Sequence, residues 1–582
     1  MLQRAVLALG LLAGVNAFSP HIKLGKRQDS KPRERLFVGV PEDVDLKWYP
    51  CSTEVLPIKY ECARLSVPLD YKNPKNGLRA IIPIIKAPAD PTVPYKGSVL
   101  TNPGGPGELG TEFIYNVDFA THIASHIVGP GWDIIGFDPR GIGYSIPYGS
   151  CELVPGTFEP DRQNATVVPK QTKNPAVRPR GSSSIISNDE VVYGLLLPDD
   201  PPSWKPTAYA VADLTSSQCL NYTGAYNQAS QHMNTIVVAT DMLEIAKALA
   251  REKHECEDTA VVNFFAISYG TVIGQYFATL YPNRVGKFYL DGVVDVVSLV
   301  AQDSRNTTLS HADKAWSQFF TACAKAGPDS CSFYTGRNSH AIRDRFNALT
   351  LKLNATRYEL EENPNAEKVT QILAALKQVI FTSLYVAWAS WPPVADFFVA
   401  VEPLLASDNP TDWDFDALMA LYAQLVAAQT GPTGPVTDIP ESYPQVVCTD
   451  SIDVRGEEIT LEEEQAWKQV SRIGGYTSLS NKILCTEWQI RPSWEWYGPV
   501  GGATKTPILF GATILDPITP YENAEKARKL FKGAKMIYVD EVGHTTFNTR
   551  NTCGFSHVLA YFQDGTLPDH NNRCAAEVPP FF

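Results

Sequence analysis

Phe264-Phe265-Ala266-Ile267-Ser268-Tyr269-Gly270-Thr271 is the stretch on which the reading of this chain turns. An apolar run of strand length leads straight into a serine, a glycine and then a helix whose apolar face carries Ile273, Phe277 and Leu280 before Pro282. A strand apolar on both faces is buried on both sides, as in parallel sheets covered by helices. A tight strand–turn–helix forces the serine into a strained backbone and lifts its hydroxyl above the sheet. Small residues two before and two after the serine, here Ala266 and Gly270, let strand and helix approach closely. Glycine is usual at the first of these positions. The rival reading of the stretch alone is an ordinary strand-to-helix turn.

Working outward, similar apolar runs occupy residues 80–85, 98–100, 132–137, 261–267 and 287–290, and the same style returns at 507–510 and 536–539. They imply a mainly parallel sheet flanked by helices, an α/β architecture. Thr519-Pro520 predicts a helix start, with threonine as N-cap and proline at the first helical position. Residues 298–497 differ: 312–325, 366–384 and 460–470 carry helical spacing, so this region reads as a helical cap inserted into the α/β core. The predicted division is a signal at 1–17, an N-terminal arm at 18–45, core at 46–297 and 498–582, and the cap between. Within the first core part, residues 155–205 read as a surface excursion rich in Pro, Ser, Asn and Arg.

Two further motifs give the serine its context. Residues 100–107, Leu-Thr-Asn-Pro-Gly-Gly-Pro-Gly, follow a predicted strand, and glycines there let backbone N–H groups turn toward a developing oxyanion. The loop lacks the Gly-Lys-Ser/Thr ending of a phosphate-binding loop. After the serine, Asp516 follows the strand at 507–510, and His544 follows the one at 536–539. A serine hydroxyl is a poor nucleophile; histidine takes its proton, and a carboxylate fixes the histidine tautomer and stabilises the imidazolium. Asp540 and Glu541 are rival acids, but they lie too close to His544 along the chain. The bland alternatives are a helix-capping Asp516 and a turn histidine at 544.

Together these segments resemble the α/β-hydrolases of the proline-iminopeptidase and tripeptidyl-aminopeptidase branch. The resemblance is carried by residues 102–107, the run Asp133 to Gly141, Ser268-Tyr269-Gly270-Thr271, Leu290-Asp291-Gly292-Val293-Val294-Asp295, and the Asp516 and His544 segments. It implies an α/β-hydrolase fold, a Ser268–Asp516–His544 triad, and an oxyanion hole from Gly104, Gly105 and Tyr269, with no cofactor. It also implies that Asp138 and Arg140 hold their loop, and that Asp291 and Asp295 are structural. Three departures stand out: Ala266 before the serine, Glu108 after the Gly-Pro-Gly turn, and Thr545 after the histidine, where small residues or glycine are usual. Glu108 is a candidate to bind the ammonium of a peptide N-terminus; a solvated loop carboxylate is the alternative.

Composition agrees with a folded extracellular enzyme. Of 582 residues, 44% are hydrophobic and 19% charged, which excludes wholesale disorder. A net charge of −13 argues against a generic nucleic-acid binder. Arg4, the apolar run 5–15 and Val15-Asn16-Ala17 read as a secretory signal, and Lys26-Arg27 as a dibasic processing site or an exposed basic pair. No other run is long enough to span a bilayer.

Eleven cysteines suit an oxidising compartment. Near-neighbour pairing suggests Cys51 with Cys62, Cys151 with Cys219, Cys323 with Cys331, Cys448 with Cys485 and Cys553 with Cys574, leaving Cys256 unpaired. No cluster has zinc spacing, so no metal is expected. Asn164, Asn221, Asn306 and Asn354 each open an Asn-x-Thr sequon. The expectation is a secreted, glycosylated, monomeric serine hydrolase that releases short peptides or single residues from peptide N-termini. A carboxylester or lactone hydrolase is the first alternative, and an inactive binding protein on the same scaffold the second.

Overall fold

The computed structural model describes residues 36–581 apart from 52–56, 152–203, 227, 306, 337, 360–364, 408, 410–411, 431–440, 570–571 and 578–579. The signal at 1–17, the Lys26-Arg27 pair, most of the 155–205 excursion and the sequons at Asn164 and Asn306 lie outside the described residues.

Strands β1 (Glu42–Asp43), β2 (Tyr49–Pro50), β3 (Glu61–Pro68), β4 (Arg79–Ala87), β5 (Gly97–Asn102) and β6 (Trp132–Phe137) form the first half of the order. Strands β7 (Val262–Ile267), β8 (Val285–Asp291), β9 (Gly502–Ala503), β10 (Leu509–Leu515), β11 (Phe531–Lys532), β12 (Lys535–Val542) and β13 (Asn572–Cys574) form the second. One large sheet runs β1-β3-β4-β6-β5-β7-β8-β10-β12-β13, with β2 beside β3, while β9 and β11 pair separately. From β6 through β13 every pairing is parallel; β4 is antiparallel to both neighbours.

Alternation along the central strands builds a core on each face. Leu100, Ile135, Phe264, Ala266, Leu290, Phe510 and Ala512 point to one side. Val99, Ile134, Phe265, Ile267, Tyr289, Leu509 and Ile537 point to the other. Every second residue therefore enters a different helical layer, which is why these strands read as apolar throughout. Because β5 lies between β6 and β7, the chain leaves β5 toward one side of the sheet and β7 toward the other. Their carboxyl ends open the crevice where α/β sheets place ligands.

Between β8 and β10 lie the helices Ala312–Ala326, Ser339–Glu359, Asn365–Ser383, Ala387–Val401, Phe415–Thr430, Ser442–Asp450, Leu461–Val470 and Gly475–Glu487. They bury a cluster of their own around Trp316, Phe319, Phe346, Trp391 and Phe398. The helix Trp204–Cys219, which follows the excursion, adds Ala208 and Ala212 to that cluster. Helix Leu461–Val470 starts at Thr460, whose side chain accepts the Glu463 amide at 3.1 Å. The helix expected from Thr519-Pro520 begins at Tyr521 instead, with Pro520 as its N-cap residue. The Thr519 side chain does not cap it, because its hydroxyl turns to His544 Nδ1, 3.2 Å away.

Five disulfides join Cys51–Cys62, Cys151–Cys219, Cys323–Cys331, Cys448–Cys485 and Cys553–Cys574, and Cys256 is free and exposed. Among the described residues no helix is long and apolar enough to cross a membrane.

The strand–helix crossing at β7 is tight. A Cβ added to Gly270 would lie 2.7 Å from Asn102 Oδ1 and 3.0 Å from the Ala266 Cβ. Alanine is thus tolerated at 266 because position 270 carries no side chain. Gly270→Ala is expected to cost about 1–3 kcal/mol as overpacking, read as a lower midpoint in urea denaturation; an unchanged midpoint would show that the crossing has slack.

Candidate active site

Ser268 stands one residue beyond β7, at φ 55°, in the left-handed region that costs a non-glycine residue energy. The turn is pinned on both sides. The Ser268 amide donates to Asp291 O at 2.9 Å, and the Ser268 carbonyl accepts from the Thr271 amide at 2.9 Å and the Thr271 hydroxyl at 2.7 Å. Helix Gly270–Leu280 then carries the chain away beneath the sheet edge.

Asp516 follows β10 directly, and His544 follows β12 by two residues. Both Asp516 oxygens lie 3.0 Å from His544 Nδ1, and both residues are buried. Asp516 also accepts the amides of Ile518, Thr519 and Thr545 at 2.8–3.0 Å. Burial alone would raise this carboxyl, but His544 and those amides more than offset it and hold Asp516 below its ordinary value. An ionised Asp516 makes Nδ1 the protonated nitrogen, which leaves the lone pair on Nε2. Nε2 is buried and has no hydrogen-bond partner among the described residues.

Ser268 and His544 flank the same turn. Asp291 receives the serine amide, and a Cβ on the next residue, Gly292, would lie 3.2 Å from His544 Cε1. The Asp291 carboxylate holds the chain just past the histidine, accepting the Thr546 amide at 2.9 Å, its hydroxyl at 2.8 Å and the Phe547 amide at 2.8 Å. Thr545 takes φ 71°, a left-handed conformation that glycine would adopt without strain.

The glycine-rich loop faces the serine. Gly104, Gly105 and Gly107 have φ of 105°, 100° and 110°. A Cβ on Gly104 would lie 2.9 Å from the Ser268 Cβ and 3.4 Å from Tyr269 N, so only glycine brings the loop this close. Of the three expected oxyanion donors, Gly104 has its amide engaged, donating to Asn102 Oδ1 at 3.0 Å. The amides of Gly105 and Tyr269 have no acceptor among the described residues.

Glu108 is buried against this loop, and its Oε1 has no hydrogen-bond partner among the described residues. Desolvation pushes its carboxyl well above the ordinary range. Tyr385, from the break between helices Asn365–Ser383 and Ala387–Val401, was not singled out by sequence. Its carbonyl accepts the His544 amide at 2.9 Å, and its ring lies 5.1 Å from the imidazole at 78°. Burial, then the carboxylates of Asp516 and Glu108, raise its hydroxyl. Glu108 thus belongs electrostatically to the histidine's surroundings.

The other acidic and basic residues of the matching segments serve structure. Asp138 accepts from the Thr111 amide and hydroxyl and from the Tyr144 amide. Arg140 grips both oxygens of buried Asp241 at 2.6 and 2.7 Å. Asp295 caps the helix Val296–Val300 and pairs with Lys526 at 2.6 Å. Among the described residues, the one group with metal-ligand spacing is Cys553, His557 and Cys574, whose two cysteines are joined as a disulfide.

Residues 97–378 match the family model of the alpha/beta hydrolase fold, and residues 471–574 that of TAP-like proteins. Serine protease Hip1 of Mycobacterium tuberculosis is 23% identical over 538 residues, covering 91% of this chain and 91% of that protein. The tripeptidyl aminopeptidase of Streptomyces lividans is 23% identical over 544 residues, 92% of this chain and 87% of its own. Carboxylesterase B of Mycobacterium tuberculosis is 25% identical over 523 residues, 88% and 86% respectively.

An aspartate that fixes the imidazole tautomer has a sharp kinetic signature. Asp516→Asn is expected to lower kcat by about 10³–10⁴-fold with KM little changed, by analogy with serine triads in general. Steady-state kinetics checks it, and a variant within tenfold of wild type would remove Asp516 from the reaction.

Proposed function

We propose that this chain, an α/β-hydrolase with a TAP-like C-terminal region, is a secreted serine peptidase that cleaves near free peptide N-termini through an acyl-enzyme. The observation that carries the reading is the buried His544–Asp516 pair, with an unpartnered Nε2 beside the turn that holds Ser268. Ser268 Oγ attacks the scissile carbonyl while His544 Nε2 takes its proton. The Gly105 and Tyr269 amides receive the oxyanion. The intermediate collapses as the imidazolium protonates the leaving amine, and a water activated by His544 then releases the acid. The helical segment between β8 and β10 roofs the site and limits which substrates enter.

Peptidase rather than esterase activity is favoured by two of the relatives, one named a serine protease and one a tripeptidyl aminopeptidase. Glu108 supports it chemically. A buried carboxyl whose Oε1 lacks a partner among the described residues is costly to ionise, and a substrate ammonium would supply the charge and hydrogen bonds that favour its ionised form. The relative named carboxylesterase B favours the second reading, an ester hydrolase.

A substrate panel separates the two. Tripeptidyl amides with free amino termini should turn over, and N-acetylation should lower kcat/KM by about 10–100-fold, the value of a charge-assisted hydrogen bond. Glu108→Gln should erase that difference by raising KM for the free-amine substrates alone. Turnover confined to esters would overturn the peptidase reading, and an unaltered preference in Glu108→Gln would remove Glu108 from it.

Secretion is proposed from the apolar leader at 5–15 and the five disulfides, with glycans at the exposed Asn221 and at Asn164, Asn306 and Asn354. N-terminal sequencing of protein from the culture medium should begin after Ala17 or after Arg27. Retention of Met1 would contradict it.

A further inference from the structure

One short helix touches both sides of the oxyanion site. Helix Ser442–Asp450 belongs to the segment between β8 and β10, yet it is buried at every position except Tyr443, and Val446 packs into the core of the sheet itself. Its first residue reaches the glycine-rich loop: Ser442 Oγ donates to Pro106 O at 3.0 Å. The fit is close enough that a Cβ on Gly107 would lie 2.1 Å from that hydroxyl.

Its last residue reaches the other donor through one intermediary. Asp450 accepts the Thr235 amide at 2.8 Å through Oδ1 and the Thr235 hydroxyl at 2.5 Å through Oδ2. Thr235 Oγ1 also lies 2.5 Å from the Tyr269 hydroxyl. Burial pushes the Asp450 carboxyl up to about 7; with Asp450 ionised, it receives the threonine's one proton and Tyr269 donates to Thr235.

The helix is itself braced. Gln445 accepts from Ser230 Oγ at 2.6 Å and donates to Gly149 O at 2.7 Å, and the Cys448–Cys485 disulfide ties it to helix Gly475–Glu487. Eight residue steps at about 1.5 Å each place its two contacts about 12 Å apart on one rigid rod.

We propose that helix Ser442–Asp450 positions the oxyanion donors, holding the Gly105 loop through Ser442 and Tyr269 through Asp450 and Thr235. The inference rests on the reading of Ser268 as nucleophile with the Gly105 and Tyr269 amides as donors. Its chemistry is geometric. Two amides stabilise an oxyanion only when both lie within about 2.7–3.1 Å of it, and a shift near 1 Å costs about 10²-fold in rate. Ser442, Thr235 and Asp450 are positioning residues, since none of them is placed against substrate.

The test uses the full-length protein and the best amide substrate. Ser442→Ala, Thr235→Val and Tyr269→Phe should each lower kcat by about tenfold or more while KM stays within about twofold. Binding of a peptidyl trifluoromethyl ketone, whose tetrahedral adduct places an oxyanion on the same amides, should weaken by the same factor as kcat. Thr235→Ser keeps the hydroxyl and should recover most of the rate. Unchanged kcat in Ser442→Ala and Tyr269→Phe, ketone affinity that does not follow kcat, or Thr235→Ser as damaging as Thr235→Val would overturn the proposal. Should Thr235→Val fail to fold, Ser442→Ala and Tyr269→Phe carry the test alone. A wild-type protein that a fluorophosphonate does not label at Ser268 sinks the underlying reading. Labelled wild type with undisturbed variants sinks only the role of the helix.

Discussion

Asp291 is the joint on which the site depends. Strands β7 and β8 end side by side, in register Ile267↔Asp291, and β10 runs past them with Gly511 opposite Asp291. The Asp291 carbonyl takes the serine amide, the following amide of Gly292 donates to Gly511 O at 3.0 Å, and the carboxylate holds Thr546 and Phe547. One residue thereby fixes the nucleophile turn, the strand that delivers Asp516 and the loop that delivers His544. The cost is electrostatic: burial pushes the Asp291 carboxyl up to about 6 despite three donated hydrogen bonds. Such a group is retained because three chain segments that are distant in sequence must meet there.

The helical segment closes on this joint from outside. Tyr385 holds the histidine amide and covers the ring, while Val386 bridges Gly543. Ser442 and Asp450 reach the loop and the tyrosine that flank the serine. On the proposed mechanism, substrate selection and oxyanion geometry would be mechanically linked, since a shift of these helices would move the Gly105 loop and Tyr269 together.

What could be read from sequence followed physical locality. The central strands were legible because both faces are buried, and the order of Ser268, Asp516 and His544 because each ends a strand. Strand β3, Glu61–Pro68, was missed because it alternates between buried and half-exposed residues and pairs antiparallel with β4. Helix Ala387–Val401 runs through Pro392 and Pro393, where burial of Trp391, Val394 and Phe398 overrides their low helix propensity. Thr519 looked like a helix cap because local pattern cannot reveal that its hydroxyl turns to His544. Tyr385 and the Ser442–Asp450 helix left no motif, since their roles exist only in contacts across more than a hundred residues. The engagement of the Gly104 amide by Asn102 was closer to hand: an asparagine two residues before a glycine is a turn signal.

The central claim is that Ser268 is the nucleophile activated by His544. Treating the native protein with a fluorophosphonate and mapping the adduct by peptide mass spectrometry tests it most directly. The account predicts one phosphonyl group on Ser268, with labelling abolished in Ser268→Ala and greatly slowed in His544→Ala. An adduct on another residue, or labelling that survives in Ser268→Ala, would contradict it.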